Sequence, residues 1–453
     1  MKRYVFPLFF LCAVAAWGQT EETADLSTDV VSDSVWSLSR CIAHAKQENL
    51  SIRKSRLSSA SSQVDLELAK AAWWPTLSFA TTQQLRYVPF ADYGSSGTGG
   101  TASSTSDKLT ASGSYGLNFN WTVWNGSRQK NISRQKVETQ ISELAVAETE
   151  NEITEAVMLD YLQVLYAEEN MRVKDSTVQV SEQLRDRAEA MQRVGSISAS
   201  EYAQVASQYA TDLYNFVSAQ ADYKNNLLLL KQLLELHDET PMVLQADATT
   251  DEQLLAPLPA KADVYAAAVG QRPEIQSSQL GVESADIYIS QAKGGYMPSI
   301  ALSAGSSLSH SSGGDVSVAE QMVKGWNNSV GLTLSVPIVD GRQTKSAVEK
   351  AKLSKQTAEL NLQEQQKTLY KTIENLWLSA NSAQQEYTAA KIKLEAAQKS
   401  YNLIVEQFKV GAKHATDLAE SKSSYLQAQQ QMLQAKYNAM YAINMLDFYQ
   451  GKL

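Results

Sequence analysis

The stretch Asn49–Pro75, NLSIRKSRLSSASSQVDLELAKAAWWP, is written a second time as Arg272–Pro298, RPEIQSSQLGVESADIYISQAKGGYMP. The two align without a gap, since 272 − 49 and 298 − 75 are both 223. Ile52, Ser55, Leu57, Ser61, Ala69, Lys70 and Pro75 recur as Ile275, Ser278, Leu280, Ser284, Ala292, Lys293 and Pro298. After each proline come two alternating, strand-like runs and then a very long helical run. A repeat of this size sets the architecture before any single motif is weighed. The unit reads helix, strand, strand, long helix, glycine break, helix, and it occurs twice. Repeat 1 is expected at 19–236 and repeat 2 at 263–453, with a linker at 237–262 and a signal peptide at 1–18.

The signal peptide follows from Lys2 and Arg3, the apolar run Tyr4 to Ala16 and the small residues of Ala16-Trp17-Gly18, with Gln19 as the mature start. The run is too short to span a bilayer as a helix. Phe10 and Leu11 are too bulky ahead of Cys12 for lipid attachment. Cys41 is then the single cysteine of the mature chain, which excludes an internal disulfide. Without Lys2 and Arg3 the 40 basic residues fall to 38 against 49 acidic ones, a charge of −11 that argues against a nucleic acid partner. No later stretch is long and apolar enough for a membrane helix. A β-barrel escapes such a scan, because its strands alternate.

Four runs do alternate. Leu109, Ala111, Gly113, Tyr115, Leu117, Phe119, Trp121 and Val123 share one parity, and Thr110, Ser112, Ser114, Gly116, Asn118, Asn120 and Thr122 the other. Leu77, Phe79, Thr81, Gln83, Leu85 and Tyr87 form a weaker partner. The second copy alternates through Ile300, Leu302, Ala304 and Leu308, and through Trp326, Val330, Leu332, Leu334, Val336 and Ile338. The strands are expected at about 76–88, 109–123, 299–309 and 326–339. Trp121, Trp124 and Trp326 fit an interfacial aromatic girdle. The loops Asp92–Asp107 and His310–Gly325 are glycine- and serine-rich and read as mobile. Each hairpin alone fits a soluble sandwich as well. The signal peptide and the polar second face favour a barrel lining water. Four strands cannot close one, and an open edge in lipid leaves backbone groups unpaired at several kcal/mol each. The barrel must be shared between chains, and three copies would supply twelve strands.

From Arg342 to Phe408 there is neither proline nor glycine. Leu362, Leu369, Ile373, Leu376, Ala380, Ala383, Tyr387, Ala390, Leu394, Ala397, Tyr401, Ile404 and Phe408 recur at coiled-coil spacing. Such a helix is roughly 100 Å long. Gly411 breaks it and Thr416–Phe448 returns; in the first copy Ser127–Gln192 leads to Gly195 and Ser200–Leu234 returns. Leu213, Phe216, Gln220, Tyr223, Leu227, Leu230 and Leu234 carry the seam of that returning helix. Periodicity alone fits an exported coiled-coil rod or adhesin equally well. A rod, however, requires no repeat that inserts paired strands between its helices.

Catalytic patterns are missing. His44, His237, His310 and His414 are scattered, without metal spacing, a triad or a phosphate-cradling loop. Neither an enzyme nor a cofactor is expected.

From about Leu38 to Gly451 the chain resembles the TolC-like outer membrane efflux proteins. The resemblance rests on Arg272-Pro273-Glu274-Ile275, on Ala-Lys-x₄-Pro-x-aliphatic at Ala69–Leu77 and Ala292–Ile300, and on Pro337-Ile338-Val339-Asp340-Gly341 with its counterpart Thr122-Val123-Trp124-Asn125-Gly126. It rests too on Arg193-Val194-Gly195 and Lys409-Val410-Gly411 at the helix breaks. Asn49-Leu50 departs from Arg272-Pro273 in the first copy. The resemblance implies an α-plus-barrel fold: a homotrimer with a twelve-stranded barrel in outer membrane lipid, continued by an α-helical tunnel across the periplasm. It implies passive export of drugs, ions or polypeptides, driven by an inner-membrane pump of RND, ABC or MFS type through a periplasmic adaptor. It implies that the tips Val194-Gly195-Ser196 and Val410-Gly411-Ala412 dock that adaptor. It also implies that Asp417 and Glu420, three apart on one helix face, narrow the tunnel mouth as a ring of carboxylates. Glu201 holds the first-copy position of Asp417, by the shift that relates Gly195 to Gly411. Lys413 is placed to pair with an acidic neighbour, and Phe408 lacks the hydroxyl that a tyrosine would bring to such a gate.

Overall fold

The computed structural model describes residues 35–87, 109–237, 239–245, 250–312 and 316–452. The expected signal peptide and the whole of the first hairpin loop, Asp92–Asp107, lie outside the described residues. The element order is β1 (Val35–Trp36), α1 (Leu38–Glu48), α2 (Leu50–Ala71), β2 (Thr76–Tyr87), β3 (Leu109–Asn125), α3 (Arg128–Arg193) and α4 (Ala199–Leu233). Then come β4 (Val243–Leu244), α5 (Asp251–Leu254), α6 (Lys261–Gln271), α7 (Pro273–Lys293), β5 (Ser299–Ser311), α8 (Val318–Lys324), β6 (Asn327–Ser335), α9 (Gln343–Lys409) and α10 (Ala415–Tyr449). The pairs α1/α6, α2/α7, α3/α9 and α4/α10 have 11/11, 22/21, 66/67 and 35/35 residues. The two halves therefore differ by at most one residue in every helix of the unit.

Asn49 and Arg272, where the two copies differ most, do the same job by different chemistry. Asn49 ends α1 and caps α2, its Oδ1 accepting from the backbone N–H groups of Ser51 and Ile52. Its Nδ2 donates to the Leu233 carbonyl at the end of α4. Arg272 separates α6 from α7, with Pro273 at the first helical position. Its buried guanidinium lies over the rings of Phe448 and Tyr449 at the end of α10 and pairs with Glu155. Each residue ties the start of an upper helix to the end of a lower one.

The sheet runs β2-β3-β5-β6, every neighbour antiparallel, with a register shift between Thr122 and Trp124. It is open, as four strands must be, and β2 and β6 are its edges. Leu77, Phe119, Ala304 and Val330 lie in one register row, so the apolar positions of all four strands share a face. The opposite face is serine, threonine, asparagine, glutamine, alanine and glycine, with Arg86 the one charge among the described strands. β6 stops at Ser335 rather than continuing to 339, because Pro337 has no N–H for a ladder. β5 runs two residues further than expected, and the second hairpin loop contains α8, whose N-cap Ser317 accepts from Glu320 N.

Below the sheet the helices form a layer in the order α2-α3-α7-α9. Its two end helices leave apolar rows uncovered, Leu57, Val64 and Leu68 on α2, Leu353 and Leu360 on α9. Further from the sheet, α4 packs on α3 and α10 on α9, so each copy ends in a helical hairpin. Every residue of the predicted α9 seam is buried or half-buried. The expected α4 seam holds in its second half, where Leu230 and Leu234 are buried and Tyr223 and Leu227 half-buried, but earlier on Leu213 and Gln220 are exposed and Val205, Asp212 and Ala219, seven apart, are buried in their place. Around mid-height α1, α3, α4, α10 and the linker bury the largest core, including Cys41, whose thiol burial pushes up to about 12. That cysteine is inert. The linker lies along α9: Gln384 donates to the Leu254 and Ala256 carbonyls, Trp377 to Pro259 O, and Asp251 accepts from Tyr387.

Candidate functional site

The two hairpin tips are built alike. The chain leaves α3 through Gly195 (φ 74°) and α9 through Gly411 (φ 75°), a left-handed conformation that favours glycine. Ser196 N bonds back to Met191 O, and Ala412 N to Gln407 O, closing each helix end. Val194 and Val410 stand out at the turns, 80% and 79% exposed, with Ser196 and Ala412 also exposed. The turns therefore present matched apolar knobs, and no atom lies within 4 Å of a Cβ built on either glycine.

Both return helices begin with an acidic residue that reaches back to the cap. Glu201 accepts from Ser198 N at 2.9 Å while Ser198 Oγ accepts from Glu201 N at 3.1 Å. Asp417 accepts from His414 N at 3.3 Å, and Lys413 Nζ lies 3.7 Å from the same carboxylate oxygen. That exposed pair contributes about 0–1 kcal/mol. The structure thus gives Glu201 and Asp417 the same job, capping, as their matched positions suggest. Glu420 lies one turn on and is exposed. Within one copy these carboxylates do not converge into a ring. Phe408 is buried between the hairpins with Leu184, Ala188, Val205, Ala415 and Leu418, so within one copy it is a core residue and presents no surface beside Asp417 and Glu420.

The hairpins are joined at two levels. Glu201 Oε1 is 3.5 Å from His414 Nδ1, and Arg187 donates to the Lys409 carbonyl at 3.1 Å. The Ser198 backbone N–H, then the Ser198 hydroxyl and then His414 hold the Glu201 carboxyl below its ordinary range. Higher up, Lys422 of α10 pairs with Asp212 of α4, and both side chains are buried, 5% and 2% exposed. Ser181 Oγ of α3 donates to Asp212 at 2.6 Å and Gln208 Nε2 at 3.1 Å. Tyr401 of α9 stacks on Tyr425, centroids 5.3 Å apart, and its buried hydroxyl has no hydrogen-bond partner. A cavity of about 570 Å³ opens beside this cluster between α3, α9 and α10. All four long helices thus meet at one charged centre that sequence reasoning missed. The signal was the seven-residue spacing of Val205, Asp212 and Ala219, with a carboxylate where an apolar residue belongs.

Among the described residues no helix is long and apolar enough to cross a membrane, and no group of side chains is arranged to hold a metal.

The family model for outer membrane efflux proteins matches residues 41–235 and 264–452. Outer membrane efflux protein BepC of Brucella suis is 21% identical over 411 residues, covering 90% of this chain and 83% of BepC. Outer membrane protein TolC of Escherichia coli is 24% identical over 266 residues, covering 56% of this chain and 52% of TolC. The alkaline protease secretion protein AprF of Pseudomonas aeruginosa is 23% identical over 186 residues, 41% of this chain and 38% of AprF. Among solved structures, the fold matches the outer membrane protein VceC of Vibrio cholerae with a TM-score of 0.71 at 15% identity, covering 91% and 96% of the two chains. It matches the CmeC outer membrane channel of Campylobacter jejuni with a TM-score of 0.72 at 17% identity, covering 92% and 86%.

Proposed function

The chain belongs to the outer membrane efflux protein family and is an outer membrane channel-tunnel of efflux or secretion systems; from that premise we propose that three copies close one duct and that its periplasmic mouth is set by Asp417 and Glu420. The observation that carries the closure is the open meander. Its edge strands β2 and β6 run in opposite directions, so β6 of one copy can pair antiparallel with β2 of the next all the way round. Three copies of a four-stranded sheet make twelve strands, enough for an aqueous interior. The same rotation sets the bare α2 row (Leu57, Val64, Leu68) against the bare α9 row (Leu353, Leu360) of a neighbour. The matched helix lengths and the shared element order support reading the chain as two repeats, 19–236 and 263–453, around the linker.

At the mouth, three Asp417 and three Glu420 carboxylates around a narrow axis would favour cations and repel one another. The tips, with Val194, Gly195 and Ser196 beside Val410, Gly411 and Ala412, offer their exposed valines to a periplasmic adaptor, which couples the duct to an inner-membrane pump. BepC is named for efflux and AprF for protease secretion, so small molecules and polypeptides both remain cargo classes for this fold.

The test is single-channel recording on protein whose mass in detergent has first been measured. A trimer with cation-selective conductance is expected, and Asp417→Ala/Glu420→Ala should lower both that selectivity and block by divalent cations. A folded monomer would refute the closure. Unchanged selectivity and block in a conducting trimer would remove these two residues from the mouth. Separately, Ser196→Arg or Ala412→Arg should abolish export without altering insertion, if the tips dock the adaptor.

A further inference from the structure

We infer that the outward face of β2, β3 and β5 carries a site for the sugar headgroup of an outer-leaflet glycolipid, formed by Gln83, His310 and Tyr115 around Gly113. The inference rests on the barrel reading above, and it adds a ligand that the duct's transport role does not require.

The outward face is apolar from Trp124, Ile300 and Leu334 at the helical end through Leu77, Phe119, Ala304 and Val330; the next row sets Phe79 and Leu117 beside Ser306 and Asn328, and the one after it Tyr115 and Leu308 beside Thr81. The lower boundary is marked by Trp73, Trp74, Trp121 and Trp124, with Trp121 Nε1 donating to Trp73 O at 2.9 Å. A membrane band is about 25 Å tall. At about 3.4 Å per residue and a tilt near 40°, it takes roughly nine or ten residues of strand. Counting up β3 from Trp124 or Trp121, the upper boundary falls between Tyr115 and Ala111. The register row Gln83–Gly113–His310 lies there, directly above the row Thr81–Tyr115–Leu308. The row thus puts an amide and an imidazole on the outward face at the headgroup level.

These side chains converge. A Cβ on Gly113 would lie 2.2 Å from His310 Cε1 and 2.4 Å from Gln83 Oε1, so the imidazole and the amide share the hollow that the missing side chain leaves. His310 stacks against Tyr115, with centroids 6.0 Å apart and planes 21° apart. The His310 Nδ1 is enclosed and has no hydrogen-bond partner in this structure, an orphan that a hydroxyl would satisfy. The chemistry is neutral throughout, with an amide, an imidazole and a phenol, each both donor and acceptor. Sugar hydroxyls have the same dual character. A phosphate would call for arginine or lysine, and no charged residue occupies an outward position of the described strands.

The experiment uses the full-length protein in a detergent without a sugar headgroup. Glucosyl diacylglycerol and phosphatidylglycerol of matched chains are titrated in turn, with native mass and thermal shift as readouts. Glucosyl lipid should bind up to one per protomer and raise the unfolding temperature. Gln83→Leu/His310→Leu, which keeps the face apolar, should lose about tenfold in glucosyl-lipid affinity, the worth of one or two hydrogen bonds. Phosphatidylglycerol binding should be weaker and the same in both proteins. Equal glucosyl-lipid affinity in wild type and variant, or preference for phosphatidylglycerol, overturns the site. Trimer mass and conductance are read on the same preparations, so a failed barrel is distinguished from a barrel that lacks this ligand.

Discussion

The two ends of the molecule solve the burial problem in opposite ways. At the far end, four long helices of one chain enclose Leu184, Val205, Tyr401, Phe408 and Leu418, and even enclose a charge pair. At the sheet end, a single copy leaves both edges unpaired and both faces bare. The first region is complete within one chain. On the proposed closure, neighbours and lipid supply the contacts that the second lacks. On that reading the same chain has one part whose stability is its own and another whose stability belongs to the assembly. Substitutions in the two parts should be separable by whether they act on the chain or on the oligomer.

The largest effect is expected in the self-contained part. Lys422→Met leaves the Asp212 carboxylate buried with only Ser181 and Gln208 as donors, and should destabilise the hairpin bundle by about 3–5 kcal/mol. Asp212→Leu/Lys422→Met should recover most of that loss, because two buried charges are then replaced by apolar volume. Denaturant unfolding of the four proteins of this cycle measures it. If the two single variants add in the double, the pair is not coupled and the bundle is held by its apolar core alone.

The next effect belongs to lipid and neighbours. Val330 lies on the outward face of β6, opposite Ala304, well inside the apolar band. Val330→Arg should cost about 2–4 kcal/mol of barrel stability near the bilayer centre, read as loss of heat-stable oligomer. Ser329→Arg, one residue away on the polar face, should leave the oligomer intact and change conductance instead. Equal loss of oligomer from both would mean that the two faces are not distinguished by lipid. A smaller effect follows for the uncovered helix rows. Leu57→Glu and Leu360→Glu should each weaken the trimer by about 1.5–3 kcal/mol, the worth of one covered side chain. The helical content of the chain should not change. Concentration-dependent dissociation, followed by native mass, decides this.

What the sequence discloses follows the same division. The strand alternation was legible because a period of two survives without knowledge of partners, and the α9 seam because thirteen positions repeat at coiled-coil spacing. The errors arose where a local rule met a distant partner or a small local feature. Leu213 reads as a buried position of α4 because it is apolar. Asp212 holds it because Lys422, 210 residues away, neutralises it. The alternation of Val336 and Ile338 carries the expected β6 past its end, although Pro337 between them cannot donate to the ladder. The segment of α8 reads as loop from its flanking glycines and serines, although Ser317 and Glu320 stand at capping spacing. The candidate mouth is legible only in part. Position and charge single out Asp417 and Glu420, but a ring needs copies that one chain does not contain.

The smallest effect is at the tips, and it tests whether the two hairpins are tied there or only at the buried pair above. Glu201 is a half-exposed carboxylate whose proton affinity is lowered in the folded chain by Ser198 and His414. The unfolded chain, with a carboxyl near 4.3, then binds the proton more readily than the folded one. The contribution of Glu201 to stability is therefore fully present above that value and lost as the pH falls through the lower folded one. Thermal unfolding of wild type and Glu201→Ala from pH 7 to pH 3 should show a constant gap above about pH 5 that narrows below about pH 4. Raising the salt should shrink the part of the gap that comes from His414, since that contact is open to solvent. The capping part, which depends on hydrogen bonds within one turn, should persist. A gap that is the same at every pH would show that the carboxylate contributes nothing as an anion, and that the tips are held by Arg187, Lys409 and the core beneath them.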